Sequence, residues 1–404
     1  MSIAHVMSDT HPGATATVTT LGDAPGRPHW TGVDASSPWL RAAEDLVPGL
    51  AAEAEELDRT GEFAHAAFER LRGRRFMSML VPTELGGGGA THAEACAVLA
   101  TLAHGCPSTS LALSMHMHLV AAQVWRHRRG LPAPVLPKVA ADQIVLVSTG
   151  AADWLASSGT AVAVDGGFRI SGRKSPSSAA PSGQVLVTSA RWEDAPDGPQ
   201  VVHASVPFSA DGVSIVETWD ATGMRATGSH TVVLDDVFVP DAAVPLVRPA
   251  DAWHPVWSTV IGAAVPLIMS SYVGVAEDAA ARALELARSK RDRPDVPPLV
   301  GRMVNSLSAA QDAVRRMIDL SEDLHFDNDL ELASAVLSRK TAAAEAAIDT
   351  VRTAMEVGGG AAYATSSGIG RLLRDVHGAL YHPLPAAEQV RFTGRLALGL
   401  APSA

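Results

Sequence analysis

The chain has 404 residues, 47% of them hydrophobic and 19% charged, with a formal net charge of −11. That length and apolar content exclude a disordered chain and allow two or three packed units with a large core. The acidic balance argues against nucleic acid as a main partner, because phosphate contacts need clustered Lys and Arg.

Residues 1–37, rich in Thr, Ala, Gly and Pro, read as a flexible tail without the charged-then-apolar order of a secretory signal. Residues 38–142 read as helical. Leu40, Ala43, Leu46 and Leu50 recur at helical spacing, and Phe68, Leu71 and Phe76 continue the stripe. Val81–Leu85 then runs into the glycines Gly86–Gly89, a loop, before helices over Thr91–His104 and Ser108–Trp125.

Residues 143–247 change to strands. Gln143–Thr149, Thr160–Val164, Phe168–Ser171, Gln184–Ala190, Val201–Pro207, Val213–Glu217 and Thr231–Val239 are β-branched or alternating. Asp165-Gly166-Gly167 marks a hairpin. Residues 252–404 return to helix in four periodic segments, Pro255–Arg288, Pro298–Phe326, Asp329–Val357 and Gly370–Gly378. The fold class expected is α+β: an N-terminal helical domain, a middle antiparallel β-barrel or sandwich, and a C-terminal four-helix bundle. The apolar run Val260–Val275 contains Pro266 and falls short of a membrane span of roughly 20 residues, so it reads as a core helix with no membrane partner. Cys96 and Cys106 lack metal or redox spacing, which fits a reducing cytoplasm. His116 and His118 lie about 200° apart on a helix, so no metal site is expected.

Four motifs fall in order along the chain: Val81–Gly87, Ser108–Leu113, Asp220–Thr227 with Val233–Pro240, and Gly359–Tyr363 with Arg371–Asp375. Together they resemble the acyl-CoA dehydrogenase superfamily over about residues 40–400. The resemblance implies FAD, with FMN as the alternative, lying between the β domain and the helical bundle. It also implies a homo-oligomer, tetramer or dimer. By the same resemblance, Ser148 and Thr149 meet the flavin pyrimidine and Ser178 its reactive edge. Lys290, Glu356, Gly359 and Gly360 stand where the family holds the adenosine diphosphate end. The competing readings are a strand end for Ser148 and Thr149, a solvated charge run for Lys290, and a helix C-terminus for the glycines. Pro176 replaces an aromatic that packs on the ring, and Arg293 replaces a phenylalanine. Met115, His116, His254 and Trp257 are placed at a substrate pocket.

The family's usual catalytic glutamate is replaced by His382, and its alternative position falls near Ala264. His382 is the candidate base, with a helix cap or loop hydrogen bond as the competing reading. Three functions follow. One is an FAD-dependent oxidoreductase acting on an acyl thioester or related small molecule, carried by coenzyme A or a carrier protein. A second is a flavin monooxygenase using reduced flavin and O2, served by a flavin reductase and needing no carboxylate. The third, ranked below these, is a flavin-free homologue.

Overall fold

A computed structural model describes residues 28–149 and 156–402. Most of the expected tail, Gly150 after the first strand and the last two residues lie outside the described residues.

The first region is built from α1 (Pro38–Glu44), α2 (Val47–Thr60), α3 (His65–Gly73), α4 (His92–Gly105), α5 (Pro107–Arg128) and α6 (Val135–Asp142). The predicted stripe is the buried one: Leu40, Ala43, Leu46, Leu50, Phe68, Leu71 and Phe76 all lie in the core. Thr91 starts α4 with a capping box, its hydroxyl accepting from the Glu94 N–H while the Glu94 carboxylate accepts from the Thr91 N–H.

Strands follow: β1 (Leu146–Ser148), β2 (Thr160–Val164), β3 (Gly167–Ser177), β4 (Val185–Trp192), β5 (Gln200–Pro207), β6 (Val213–Val216), β7 (His230–Pro240) and β8 (Leu246–Pro249). Their order is β6-β7-β3-β2-β4-β5-β8, with β1 pairing β4. The ladders are antiparallel except β1 with β4 and β2 with β4, which are parallel. Asp165-Gly166 makes the turn of the β2–β3 hairpin, with Val164 opposite Gly167. β8 was not apparent in the sequence. Its Arg248 and Pro249 look wrong for a strand, but β8 is an edge, where proline is tolerated.

The last region comprises α7 (Pro255–Ala287), α8 (Val296–Leu320), α9 (Leu330–Gly358), α10 (Gly360–Tyr363), α11 (Ile369–Val376) and α12 (Ala386–Ala397). Helix α7 is the axis of the molecule, packing on α4, α5, α8, α9 and α11. It is long and apolar enough to cross a membrane, yet it is buried in the fold. Its Glu277 carboxylate accepts from Trp30 Nε1 (2.6 Å) and Gln311 Nε2 (2.8 Å) and lies 2.8 Å from His104 Nε2. Helix α12 also went unpredicted. Only Gln389 and Phe392 of it are buried, too few to make a period.

The three regions meet at one junction. The Met224 N–H donates to Asp375 Oδ1 at 2.6 Å. Arg374 Nε donates to Thr222 O at 3.0 Å, and its Nη2 pairs with the Asp58 carboxylate on α2. Arg225 Nε donates to Asp58 O at 2.7 Å, and the Ala226 N–H reaches Ser108 Oγ on α5 at 3.3 Å. Three of the four sequence motifs thus meet here.

Burial pushes the Asp375 carboxyl up to about 6 from its ordinary value near 3.8. A raised carboxyl stabilises the fold fully below about pH 4, and that contribution is lost as pH rises through about 6. The stability difference between the native chain and Asp375→Asn should therefore fall from pH 4 to pH 7 in urea titrations. Asp375→Ala, which strands the Met224 N–H, should cost about 2–3 kcal/mol at neutral pH.

Candidate functional site

The candidate residues fall into three groups. The first lies at the ends of the strands. Val145, Leu146 and Val147 are buried, and the chain then surfaces at half-buried Ser148 and Thr149. Thr149 N–H donates to Val187 O of β4 at 3.3 Å. Half-buried Ser178 follows β3. Its Oγ lies 2.8 Å from Ser229 Oγ, Ser229 lies 2.7 Å from Thr227 Oγ1, and the Thr227 hydroxyl donates to Met224 O at 3.0 Å. With the Thr227 proton committed to Met224 O, Ser229 donates to Thr227 and Ser178 donates to Ser229, which leaves Ser178 Oγ an acceptor at the end of the chain. Such an acceptor suits the edge of a reduced flavin, whose ring nitrogen donates. Thr227 and Ser229 were not singled out as site residues in the sequence. Thr227 closes the third motif, and that was the available signal.

The second group ends helices. Lys290 Nζ donates to Gly358 O, the last carbonyl of α9, at 2.7 Å. Gly359 has φ 60° and caps α9, its N–H donating to Met355 O at 2.9 Å, and Gly360 opens α10. Glu356 is exposed and pairs with Arg302 and with Arg352 Nη1 (2.7 Å). Arg293 pairs with Asp295 at 2.9 Å. These charges satisfy one another and the α9 terminus. Within one chain, then, Lys290, Glu356 and Arg293 are each engaged by protein partners.

The third group surrounds His382, which sits half-buried in the loop between α11 and α12. Its Nε2 is 2.8 Å from the hydroxyl of fully buried Tyr272 on α7. Lys340 on α9, also buried, donates from Nζ to His382 O at 2.9 Å and Leu384 O at 3.1 Å. Burial, then the charges of Lys340 and His118, hold the His382 imidazole down at about 3. Burial likewise brings His118 to about 4 and Lys340 to about 8, and pushes the Tyr272 phenol well above its usual range. His382 is thus a neutral ring at pH 7 with little tendency to take a proton, a poor match to the expected base. The nearby acid, Asp375, is committed to the Met224 N–H and lies 3.7 Å from Arg371 Nη1. Ala264 is buried on α7 and supplies no base.

The expected pocket residues scatter. His116 does not line a cavity: Nε2 donates to Met77 O at 2.8 Å and Nδ1 accepts from the Leu146 N–H at 2.9 Å. Both ring nitrogens tie α5 to neighbouring backbone, which corrects the pocket reading. Met115 beside it is half-buried. His254 caps α7, its Nδ1 accepting from the Val256 N–H at 3.1 Å. Trp257 lies under the Arg248 guanidinium, 5.0 Å from the ring centroid, and near the His203 ring at 6.0 Å. Arg248 is itself buried, donates from Nε to His203 Nε2 at 3.0 Å, and is brought down to about 10 by burial. The cation–π contact and ring neighbours make this a positioned aromatic, and Arg248 gave no sequence signal because β8 was unseen. Among the described residues, no group of three or more His, Cys, Asp or Glu side chains could hold a metal ion.

Comparison with known proteins adds the relatives. The chain matches the family descriptions "Acyl-CoA dehydrogenase, N-terminal domain" over residues 42–133 and "Acyl-CoA dehydrogenase, C-terminal domain" over residues 267–384. It is 28% identical to the amino sugar nitrososynthase DnmZ of Streptomyces peucetius, covering 89% of this chain and 93% of that one. It is 30% identical to the amino sugar nitrososynthase RubN8 of Streptomyces rubradiris, covering 88% of each. Among solved structures it resembles KijD3, crystallised with FMN and dTDP-3-amino-2,3,6-trideoxy-4-keto-3-methyl-D-glucose. That match has a TM-score of 0.80 and 28% identity, over 92% of this chain and 96% of the other.

The His116 assignment is testable by stability. His116→Ala leaves Met77 O and the Leu146 N–H buried without partners. It should lower unfolding free energy by about 2–4 kcal/mol in urea, whereas His254→Ala, at an open helix cap, should cost about 1 kcal/mol or less.

Proposed function

This chain belongs to the acyl-CoA dehydrogenase superfamily and is a flavin-dependent oxidoreductase, and from that premise we propose that it is a monooxygenase acting on an amine nitrogen. The observation that carries the reading is the His382 group. Where the desaturases need a carboxylate to remove a proton from carbon, this chain has a neutral imidazole backed by buried Lys340. Oxygenation needs no such carboxylate. Bound reduced flavin with dioxygen supplies an electrophilic oxygen atom to a lone pair.

The chain's own residues set the conditions for that transfer. The Thr227–Ser229–Ser178 hydroxyls, all donating toward Met224 O, leave Ser178 Oγ free to accept from the ring N–H of reduced flavin. With Lys340 cationic and no carboxylate bonded to His382, the local potential disfavours an ammonium ion and favours the free amine, the form with a lone pair to oxygenate. The names of DnmZ and RubN8, and the amino sugar bound to KijD3, support an amino sugar as the substrate class. The internal pairing of Lys290, Glu356 and Arg293 supports FMN over FAD. In this reading a separate reductase delivers the reduced flavin and no acyl carrier takes part. Buried, free Cys96 and Cys106 suit a cytoplasmic protein, and exposed Tyr363, Tyr381 and Leu398 suit a homo-oligomer.

Four measurements test this. Supplied with a flavin reductase, NADH, FMN and air, the protein should convert the dTDP-linked amino sugar of the KijD3 crystal to a product carrying added oxygen. Anaerobic bleaching of bound flavin by acyl-CoA would overturn the reading in favour of the desaturase. Ser229→Ala should weaken flavin binding by about three- to ten-fold in fluorescence titration, the worth of one hydrogen bond. Full-strength FAD binding that depends on Arg293 and Lys290 would sink the FMN assignment.

A further inference from the structure

The Tyr272–His382 contact says more than that the ring is neutral. A neutral imidazole carries one proton, on either Nδ1 or Nε2, and its partners decide which. Tyr272 has no accessible surface, so its hydroxyl proton must find an acceptor inside the protein. The acceptor within reach is His382 Nε2, at 2.8 Å. If Nε2 carried the proton instead, it would donate to the phenol oxygen, and the buried phenolic hydrogen would be left with no acceptor. The other ring nitrogen, Nδ1, has no hydrogen bond and is not enclosed, since His382 is half-buried and Nδ1 is not among the buried polar atoms lacking a partner.

Two further contacts hold the ring in this pose. Lys340 clamps the loop through the His382 and Leu384 carbonyls, fixing the backbone from which the ring projects. Gly378 lets the phenol come close: a Cβ at that position would stand 2.6 Å from Tyr272 Oη. The polar groups facing the ring are therefore Tyr272 from α7, Lys340 from α9 and His118 from α5, with Asp375 of α11 acting on Tyr272 at longer range.

We propose that Tyr272 is a positioning residue that fixes His382 in the tautomer protonated on Nδ1, so that the ring presents a hydrogen-bond donor to the substrate. The donor role rests on the reading of the His382 group as the substrate site; the tautomer does not. A donor there selects a substrate that offers an acceptor, a carbonyl or ether oxygen, beside the amine. The free-base nitrogen is left unbonded for oxygenation.

Nitrogen-15 labelling of histidine reads the tautomer directly, because the protonated and bare ring nitrogens resonate far apart. The full-length protein at neutral pH, with the His382 signals assigned by loss in His382→Gln, should show Nδ1 protonated. Tyr272→Phe keeps the ring and its packing but removes the hydroxyl, and should shift His382 to mostly Nε2 protonation. Gly378→Ala keeps the phenol but pushes it aside, and should give the same shift. In the oxygenation assay, Tyr272→Phe should raise KM for the dTDP-linked amino sugar about ten-fold, with kcat changed less and FMN binding unchanged. An Nε2-protonated ring in the native chain, or a tautomer indifferent to both substitutions, overturns the proposal. The expected tautomer with an unchanged KM overturns the donor role. Failure of the native chain to oxygenate the sugar counts against the function proposed above and leaves the tautomer result standing.

Discussion

Three regions of the chain, each with its own kind of secondary structure, are held in place by a carboxylate that has almost no water around it. Asp375 on α11 receives the Met224 N–H from the loop before β7, while its neighbour Arg374 reaches the Asp58 carboxylate on α2. A carboxylate buried this way is tolerated because donors and cations meet it from several sides. The geometry of the candidate site depends on this junction. Met224 also accepts from Thr227, so the loop that binds Asp375 begins the hydroxyl chain leading to Ser178. Helix α11 leads directly into the loop that carries His382. One junction therefore positions both the candidate flavin edge and the candidate substrate edge.

The two edges have different chemistry. At the strand ends the hydroxyls all donate toward Met224 O, which leaves Ser178 Oγ an acceptor for a ring that gains an N–H on reduction. Around His382 the direction of every proton is fixed: the phenol is pinned, the imidazole is neutral and the ammonium is shared between two carbonyls. A fixed donor pattern orients a ligand at little reorganisation cost.

Much of the fold was legible in the sequence because burial follows period. Leu40 to Leu50 and the strands of the β2–β3 hairpin are regular enough to read. The misses have local causes. Strand β8 hides behind Arg248 and Pro249, and α12 buries too little of itself. At the site, His382 was visible because it interrupts a motif. Tyr272 and Lys340 were not, since a lone tyrosine in an apolar helix and a lysine after Arg339 look like packing and solvated charge. Their meaning comes from contacts more than forty residues apart in sequence, Tyr272 with His382 being 110 apart. The residues Lys290, Glu356 and Gly359 were readable in two ways, as phosphate ligands or as the end of a helix. Only the position of the Gly358 carbonyl separates the two.

Helix α7 carries a burden outside the folded state. Its apolar length would suit a lipid bilayer, and here it is covered by α4 and α5, which precede it, and by α8, α9 and α11, which follow. A chain emerging from the ribosome has the first half of that cover when α7 is complete and lacks the rest until about ninety further residues have been made. During that interval a long greasy helix stands half-clothed, open to chaperones and to other nascent chains. The helix that forms the axis of the finished fold is thus one whose cover is completed only near the end of synthesis.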